Sequence, residues 1–140
     1  MEWIEKRLGD IGDVVGGATP STKHEEYYGG KIAWITPKDL SSFKGRYILS
    51  GERNITEAGL DSCSAQMLPP NTVLFTSRAP IGYIAIAKQS VCTNQGFKSI
   101  VPHELSLIHI YVRSKKVNPF PVFVLVVTFG RRLTQLSIAV

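Results

Sequence analysis

The chain has 140 residues, of which 44% are hydrophobic. This is enough for one domain with a real core, and it excludes a disordered or fibrous protein. The net charge of +5 does not itself indicate nucleic-acid binding, because residues 1–104 carry 11 basic and 11 acidic side chains. All of the excess positive charge lies in residues 105–140.

The first two thirds of the chain alternate between short β-type runs and Gly- or Pro-rich turns. Before the centre of the sequence, strands are predicted at Leu8–Val15, Lys31–Thr36 and Tyr47–Ser50, and single helical turns at His24–Tyr28 and Thr56–Leu60. Pro37 is expected to end a strand, and Gly59 to stop a helical turn. No sustained helical periodicity appears, so the pattern favours a strand-rich α+β domain.

The central stretch is the most informative. Val73–Thr76 and Tyr83–Ala87 are apolar β-type runs, and the connection Ser77–Gly82 contains both Pro and Gly. This predicts a β-hairpin with a longer turn, which Pro69–Asn71 precedes as a separate turn. A polar cluster, Thr93–Gly96, follows. Polar loops carried on apolar strands are a common way to build a binding surface.

The Gly-rich segment Gly16–Thr22 is predicted to be a loop. Its hydroxyl and backbone N–H groups suit contacts to phosphate oxygens. The alternative is an ordinary Gly/Ser/Thr turn without a ligand. A Walker phosphate-binding loop is excluded because the required Gly-Lys-Ser/Thr ending is missing.

No catalytic or metal site is expected. Ser77 is not set in a nucleophile elbow, and neither His24 nor His103 has a sequence context that links it to Ser77. Cys63 and Cys92 lack the spacing of a zinc or redox motif and are expected to be small buried side chains. Trp34 is predicted to belong to the core. The N-terminus lacks an apolar leader, and the longest apolar run is too short to span a membrane.

An ordered set of motifs in residues 3–103 closely resembles the target-recognition domain of type I restriction–modification specificity subunits. The set comprises Leu8–Ile11, Gly16–Ser21, Trp34–Leu40, Ile55–Leu60, Leu68-Pro69, Thr76–Gly82 and Thr93–Phe97. Each motif alone is weak, whereas the ordered set is specific. Where that family usually has Gly-Gly-Thr-Pro-Ser, this chain has Ala18 between Gly17 and Thr19.

The resemblance implies a non-catalytic, sequence-specific DNA-recognition module in the cytoplasm of a bacterium or archaeon. Its partners would be double-stranded DNA, modification subunits and restriction subunits. No cofactor would bind this chain, since S-adenosylmethionine, ATP and Mg²⁺ would act on the partner subunits. The alternatives are a truncated fragment without function and a stand-alone DNA-modifying enzyme.

Nine residues are candidates for contacts to DNA because of their side-chain types and their positions in the sequence. Arg78, Asn94 and Gln95 carry the donors and acceptors needed for base edges, whereas small hydroxyl and lysine side chains suit phosphates. The alternative is that the polar side chains at 77–78 and 94–95 tie loops to one another. The full set of candidates is Thr19, Ser21, Thr22, Lys23, Lys38, Ser77, Arg78, Asn94 and Gln95.

The sequence changes character after Pro102. Acidic residues are absent from residue 105 onward, and Leu105–Ile110 resembles the translation of a transposon end used in DNA library preparation. We therefore expect residues 1–104 to form a partial recognition domain and residues 105–140 to be a non-native or frameshifted tail. The alternative is a natural tail in which Val122–Phe129 forms a buried strand.

Overall fold

The computed structural model describes residues 3–78, 81–103, 126–130 and 133–139, with backbone alone for 3–8, 11 and the last two ranges. It divides into two compact units, which are Met1–Val14 with Pro102–Val140 and, separately, Val15–Val101. Within the described residues, no helix combines the length and apolar character needed to cross a membrane.

The elements are short and mostly strands. In chain order they are β1 Trp3–Arg7, α1 Leu8–Ile11, β2 Gly12–Gly16, a 3-10 turn at Glu25–Tyr27, β3 Tyr28–Ile35, α2 Pro37–Ser42, β4 Tyr47–Ile48, β5 Arg53–Ile55, α3 Glu57–Asp61, β6 Val73–Phe75, β7 Ile84–Ala87, β8 Cys92–Thr93, β9 Lys98–Pro102, β10 Val126–Gly130 and β11 Leu133–Ala139.

The unit that contains both ends of the chain holds an antiparallel sheet in the order β1-β11-β10. Residues 122–125 of the possible strand Val122–Phe129 lie outside the described part of the chain. The burial of strand β10 therefore stays a prediction, as do the domain boundary at residue 104 and the non-native origin of the tail.

The Val15–Val101 unit holds the central hairpin. Strands β6 and β7 pair antiparallel, as predicted, within a five-stranded sheet of order β2-β9-β6-β7-β4. A second, three-stranded sheet has the order β5-β3-β8, in which β3 pairs antiparallel with β5 and parallel with β8. The strand-rich α+β architecture expected from the sequence is confirmed.

Strand β3 lies between two hydrophobic clusters because successive side chains of a strand point to opposite faces. Ala33 and Ile35 belong to the larger cluster, which contains Leu74 of β6 and Phe97. Trp34 belongs to the smaller one, together with Ile55, Ala65 and Cys92. Trp34 is 5% exposed, so its predicted core position is confirmed.

The two cysteines differ in environment. Cys92 is fully buried and its thiol donates to the Ala33 carbonyl at 3.5 Å, whereas Cys63 is half-buried. Burial, with a smaller contribution from Cys63, raises the pKa of Cys92 to about 12. The Cys92 thiol therefore stays protonated at neutral pH and acts as a small apolar side chain.

Two local predictions were wrong, and a third, the end of a strand at Pro37, was confirmed but incomplete. The segment predicted as one strand from Leu8 begins with the helical turn α1 and becomes a strand only at Gly12. Pro37 does end strand β3, but it also occupies the first turn of α2, where a missing N–H costs nothing. Gly59 lies inside α3 because the Tyr27 carbonyl carbon and oxygen pass so close that a Cβ would meet the oxygen at 2.4 Å.

The predicted Gly-rich loop is confirmed at Gly17–Pro20, and it packs directly on the end of β8. The Ala18 N–H donates to the Thr93 carbonyl at 3.0 Å. A Cβ on Gly17 would lie 2.2 Å from that carbonyl oxygen and 2.3 Å from the oxygen of Asn94. Because both obstacles are backbone atoms, a side chain at this position would displace the loop from the strand.

Gly17→Ala should therefore lower the free energy of unfolding, by about 1–3 kcal/mol for an overpacked site. Gly16→Ala is the matched control, since among the described residues its Cβ would meet only the Lys98 ammonium nitrogen, at an ordinary 3.6 Å. Urea denaturation of the two variants and the wild type measures the difference. Equal stability of the two variants would contradict the close packing of Gly17 on β8.

Candidate nucleic-acid interface

Three separate segments that carry predicted DNA-contacting residues meet in the fold. The Thr19 hydroxyl donates to the amide oxygen of Gln95, 76 residues away in sequence. The Ser77 N–H donates to the Gly96 carbonyl at 2.8 Å, and the Ser77 hydroxyl contacts the same oxygen at 3.3 Å. We call these segments, residues 17–20, 77–78 and 94–96, the loop cluster.

Two aromatic side chains of β3 hold the first segment of the loop cluster. The Trp34 indole N–H donates to the Ala18 carbonyl at 3.2 Å, and the Tyr28 hydroxyl donates to the Pro20 carbonyl at 2.7 Å. The Arg53 guanidinium lies 4.6 Å from the centre of the Tyr28 ring. Two carbonyl oxygens that would repel an anion are thereby engaged by protein donors.

The sequence did not indicate these two hydrogen bonds. Trp34 was identified as a core residue and Tyr28 as part of a helical turn. Aromatic side chains with polar tips usually find a partner when buried, and this is the one signal that could have suggested the contacts. Which carbonyl each would reach depends on the loop path, and local sequence does not encode that path.

In the 94–96 segment, one residue stabilises the turn and another is exposed to solvent. The Asn94 amide oxygen accepts the Gly96 N–H at 2.9 Å, and the Asn94 N–H donates to the Ile35 carbonyl at 3.1 Å. Gly96 lies against α2, where a Cβ would be 2.8 Å from Cγ of Pro37. Asn94 is half-buried and Gln95 is exposed, so Asn94 shapes the turn and Gln95 faces solvent.

The hairpin connection supplies a cation. Arg78 is exposed and follows Ser77, whose backbone and hydroxyl fix the start of the connection on Gly96. The Thr76 hydroxyl accepts the Tyr83 N–H at 2.9 Å and closes the base of the connection. Arg78 thus directly follows a residue that is hydrogen-bonded to Gly96, the neighbour of Gln95 in the chain.

Lys38 is placed next to the loop cluster but has an acidic partner. Its ammonium group lies 2.9 Å from a carboxylate oxygen of Glu52, and both side chains are well exposed. This hydrogen bond raises the pKa of Lys38. No sequence pattern indicates Glu52 as the partner of Lys38, because Glu52 is 14 residues away in an unpatterned segment.

The remaining candidates extend away from the cluster along the first loop. Ser21, Thr22 and Lys23 are exposed, and the Ser21 hydroxyl is a weak acceptor for the Lys23 N–H at 3.4 Å. Within the described residues, no hydrogen bond joins these three side chains to Gln95 or Ser77. His24 is exposed and pairs with Glu26 at 2.9 Å.

The hydrogen bonds of Ser77 and Asn94 match the loop-tying alternative for these two residues. Thr19 also contributes to loop contacts through Gln95. In chemical terms the cluster offers hydroxyl, amide and guanidinium groups, and residues 17–20, 77–78 and 94–96 include no carboxylate. Such a surface can bind anionic phosphate oxygens and base edges, but the role of each residue toward DNA stays a prediction.

The family model "Type I restriction modification DNA specificity domain" matches residues 1–137. The specificity subunit of the MjaIX type I restriction enzyme from Methanocaldococcus jannaschii is 56% identical over 103 residues, which are 74% of this chain and 24% of that protein. The EcoR124I/EcoR124II specificity subunit from Escherichia coli is 36% identical over 118 residues, or 79% and 28% of the two chains.

Solved structures give the same fold. The HsdS subunit from Thermoanaerobacter tengcongensis matches with a TM-score of 0.53 and 21% identity, over 71% of this chain and 23% of that one. A chain from a structure of the type I R-M system matches with a TM-score of 0.55 and 22% identity, over 73% and 24%. The chain thus spans about a quarter of the length of these relatives. It belongs to the type I restriction modification DNA specificity domain family.

Proposed function

We propose that this chain is a sequence-specific DNA-recognition module of a type I restriction–modification complex. The observation that carries the proposal is the contact between Thr19 and Gln95, which joins two of the family-like motifs into one donor-rich surface. Family membership supports DNA recognition over a stand-alone DNA-modifying enzyme. The chain would have no catalytic centre and would direct adenine methylation and DNA cleavage by other subunits.

Recognition would combine phosphate contacts that position the duplex with base contacts that read it. Thr19, Ser21, Thr22 and Lys23 lie on one loop, whose hydroxyl and ammonium groups suit phosphate oxygens. Arg78 and Gln95 are exposed planar side chains on the other two segments of the loop cluster. They are the better candidates for base edges because both are exposed whereas Asn94 is half-buried. The amide oxygens of Gln95 and Asn94 are each engaged within the protein, by the Thr19 hydroxyl and the Gly96 N–H respectively.

Other subunits of the complex would supply the catalytic centres and the cofactors. The proposed partners are double-stranded DNA, modification subunits and restriction subunits. S-adenosylmethionine would bind the modification subunits, and ATP with Mg²⁺ would act on the restriction subunits. We place the assembly in the bacterial or archaeal cytoplasm, where its DNA substrate is found.

The proposal is tested by fluorescence anisotropy with labelled duplex DNA over a salt series, using the native protein with the modification subunits that assemble with it. Affinity should fall steeply as salt rises, because phosphate contacts release counterions. Arg78→Ala should weaken binding by about 5- to 30-fold, equivalent to about 1–2 kcal/mol.

Lys88→Ala is the matched control. Lys88 is also exposed, but it follows strand β7 at the end of the hairpin away from Ser77 and Arg78. Its removal should change the dissociation constant less than 2-fold, as expected for a cation outside the contact surface. Salt-independent binding, or equal losses for the two variants, would contradict the proposed interface.

A further inference from the structure

The ion pair of Lys38 and Glu52 lies beside the loop cluster. Pro37, the residue before Lys38, packs on Gly96, and the Ile35 carbonyl at the end of β3 accepts the N–H of Asn94. The end of β3 and the first residue of α2 thus each contact the 94–96 segment, which places Lys38 next to it. A duplex that contacts Gln95 would approach Lys38 as well.

Glu52 is held beside Lys38 by its own backbone. Its N–H donates to one carboxylate oxygen of Asp39 at 2.9 Å, and the other Asp39 oxygen accepts the N–H and hydroxyl of Thr36, both at 2.7 Å. Gly51 lies so close that a Cβ would meet the Asp39 carboxylate at 2.6 Å. Asp39 therefore ties the segment that carries Glu52 to the start of α2.

The side chains of the ion pair, in contrast, stay open to solvent. Those of Lys38 and Glu52 are 79% and 66% exposed. Exposed ion pairs are weak, so a stronger anion can displace the carboxylate without a large loss. DNA phosphate is such an anion, and the exchange needs only rotation of the glutamate side chain.

We propose that Glu52 competes with DNA phosphate for Lys38 and so limits the affinity of the interface for the DNA backbone. The inference rests on the proposed function. In free protein the carboxylate neutralises the ammonium group. On DNA a phosphate takes the place of the Glu52 carboxylate, so the ion pair of Glu52 with Lys38 is lost on binding. Backbone affinity supplies essentially all non-specific binding, so Glu52 would shorten the time spent on DNA without the target.

The test measures the dissociation constant for a non-target duplex with the native protein and its co-assembling modification subunits. Four forms are compared, namely wild type, Glu52→Gln, Lys38→Met and the double variant. Glu52→Gln should tighten binding about 3- to 10-fold at ~0.1 M salt and steepen the salt dependence by about one phosphate contact. In the Lys38→Met background, the same substitution should change affinity less than 2-fold.

Asp61→Asn is the charge-matched control, because Asp61 is an exposed acid at the end of α3. It should leave DNA affinity within 2-fold of wild type. Thermal melting confirms that each variant folds, and Glu52→Gln alters only an exposed side chain.

The outcomes separate the two proposals. If wild type shows no salt-dependent DNA binding, both the proposed function and this inference fail. If wild type binds but Glu52→Gln does not tighten binding, the inference alone is overturned. It is also overturned if Glu52→Gln acts equally with and without Lys38, or if Asp61→Asn has the same effect, since general charge would then explain the result.

Discussion

The loop cluster depends on a close approach between the Gly17–Pro20 loop and the end of strand β8. The Ala18 N–H reaches the Thr93 carbonyl at 3.0 Å only because Gly17 has no Cβ to meet the carbonyl oxygens of Thr93 and Asn94. This contact aligns two loops whose polar residues follow directly, so that Thr19 meets Gln95. A local steric requirement thereby brings two of the three segments of the loop cluster together.

Strand β3 anchors the Gly17–Pro20 loop to the core. Its inward residues Ala33 and Ile35 pack in the main core, while Trp34 and Tyr28 hold the Gly17–Pro20 loop by its carbonyl groups. The N–H of Asn94 is bonded to the end of the same strand. Loops held in this way lose little conformational freedom on binding, and more of the interaction energy then appears as affinity.

The sequence predicted the elements better than the contacts. The hairpin of β6 and β7, strand β3 and the core position of Trp34 follow from apolar patterning, which depends on neighbouring residues. The helical turn at Leu8–Ile11 does not follow from that patterning, and the placement of Gly59 inside α3 depends on tertiary packing. Gly59, for example, is explained by the nearby carbonyl of Tyr27, about 30 residues earlier in the chain.

In the candidate site, too, the residues could be predicted from the sequence but their contacts could not. Residue type and motif order identified Thr19, Ser77 and Gln95, and the fold joins their segments. The pairing of Lys38 with Glu52 could not be predicted, because it depends on how the segment before β5 meets α2 through Asp39. Likewise, the sequence alone could not separate the turn-shaping role of Asn94 from the exposed position of Gln95.

Hydrogen–deuterium exchange with and without duplex DNA tests the central claim most directly, namely that the loop cluster is the surface that meets DNA. We expect DNA to slow exchange in peptides that cover residues 16–23 and 94–97, while peptides from α3 at Glu57–Asp61 remain unchanged. Slower exchange confined to α3, with no change in the loop cluster, would place the interface elsewhere and contradict the claim.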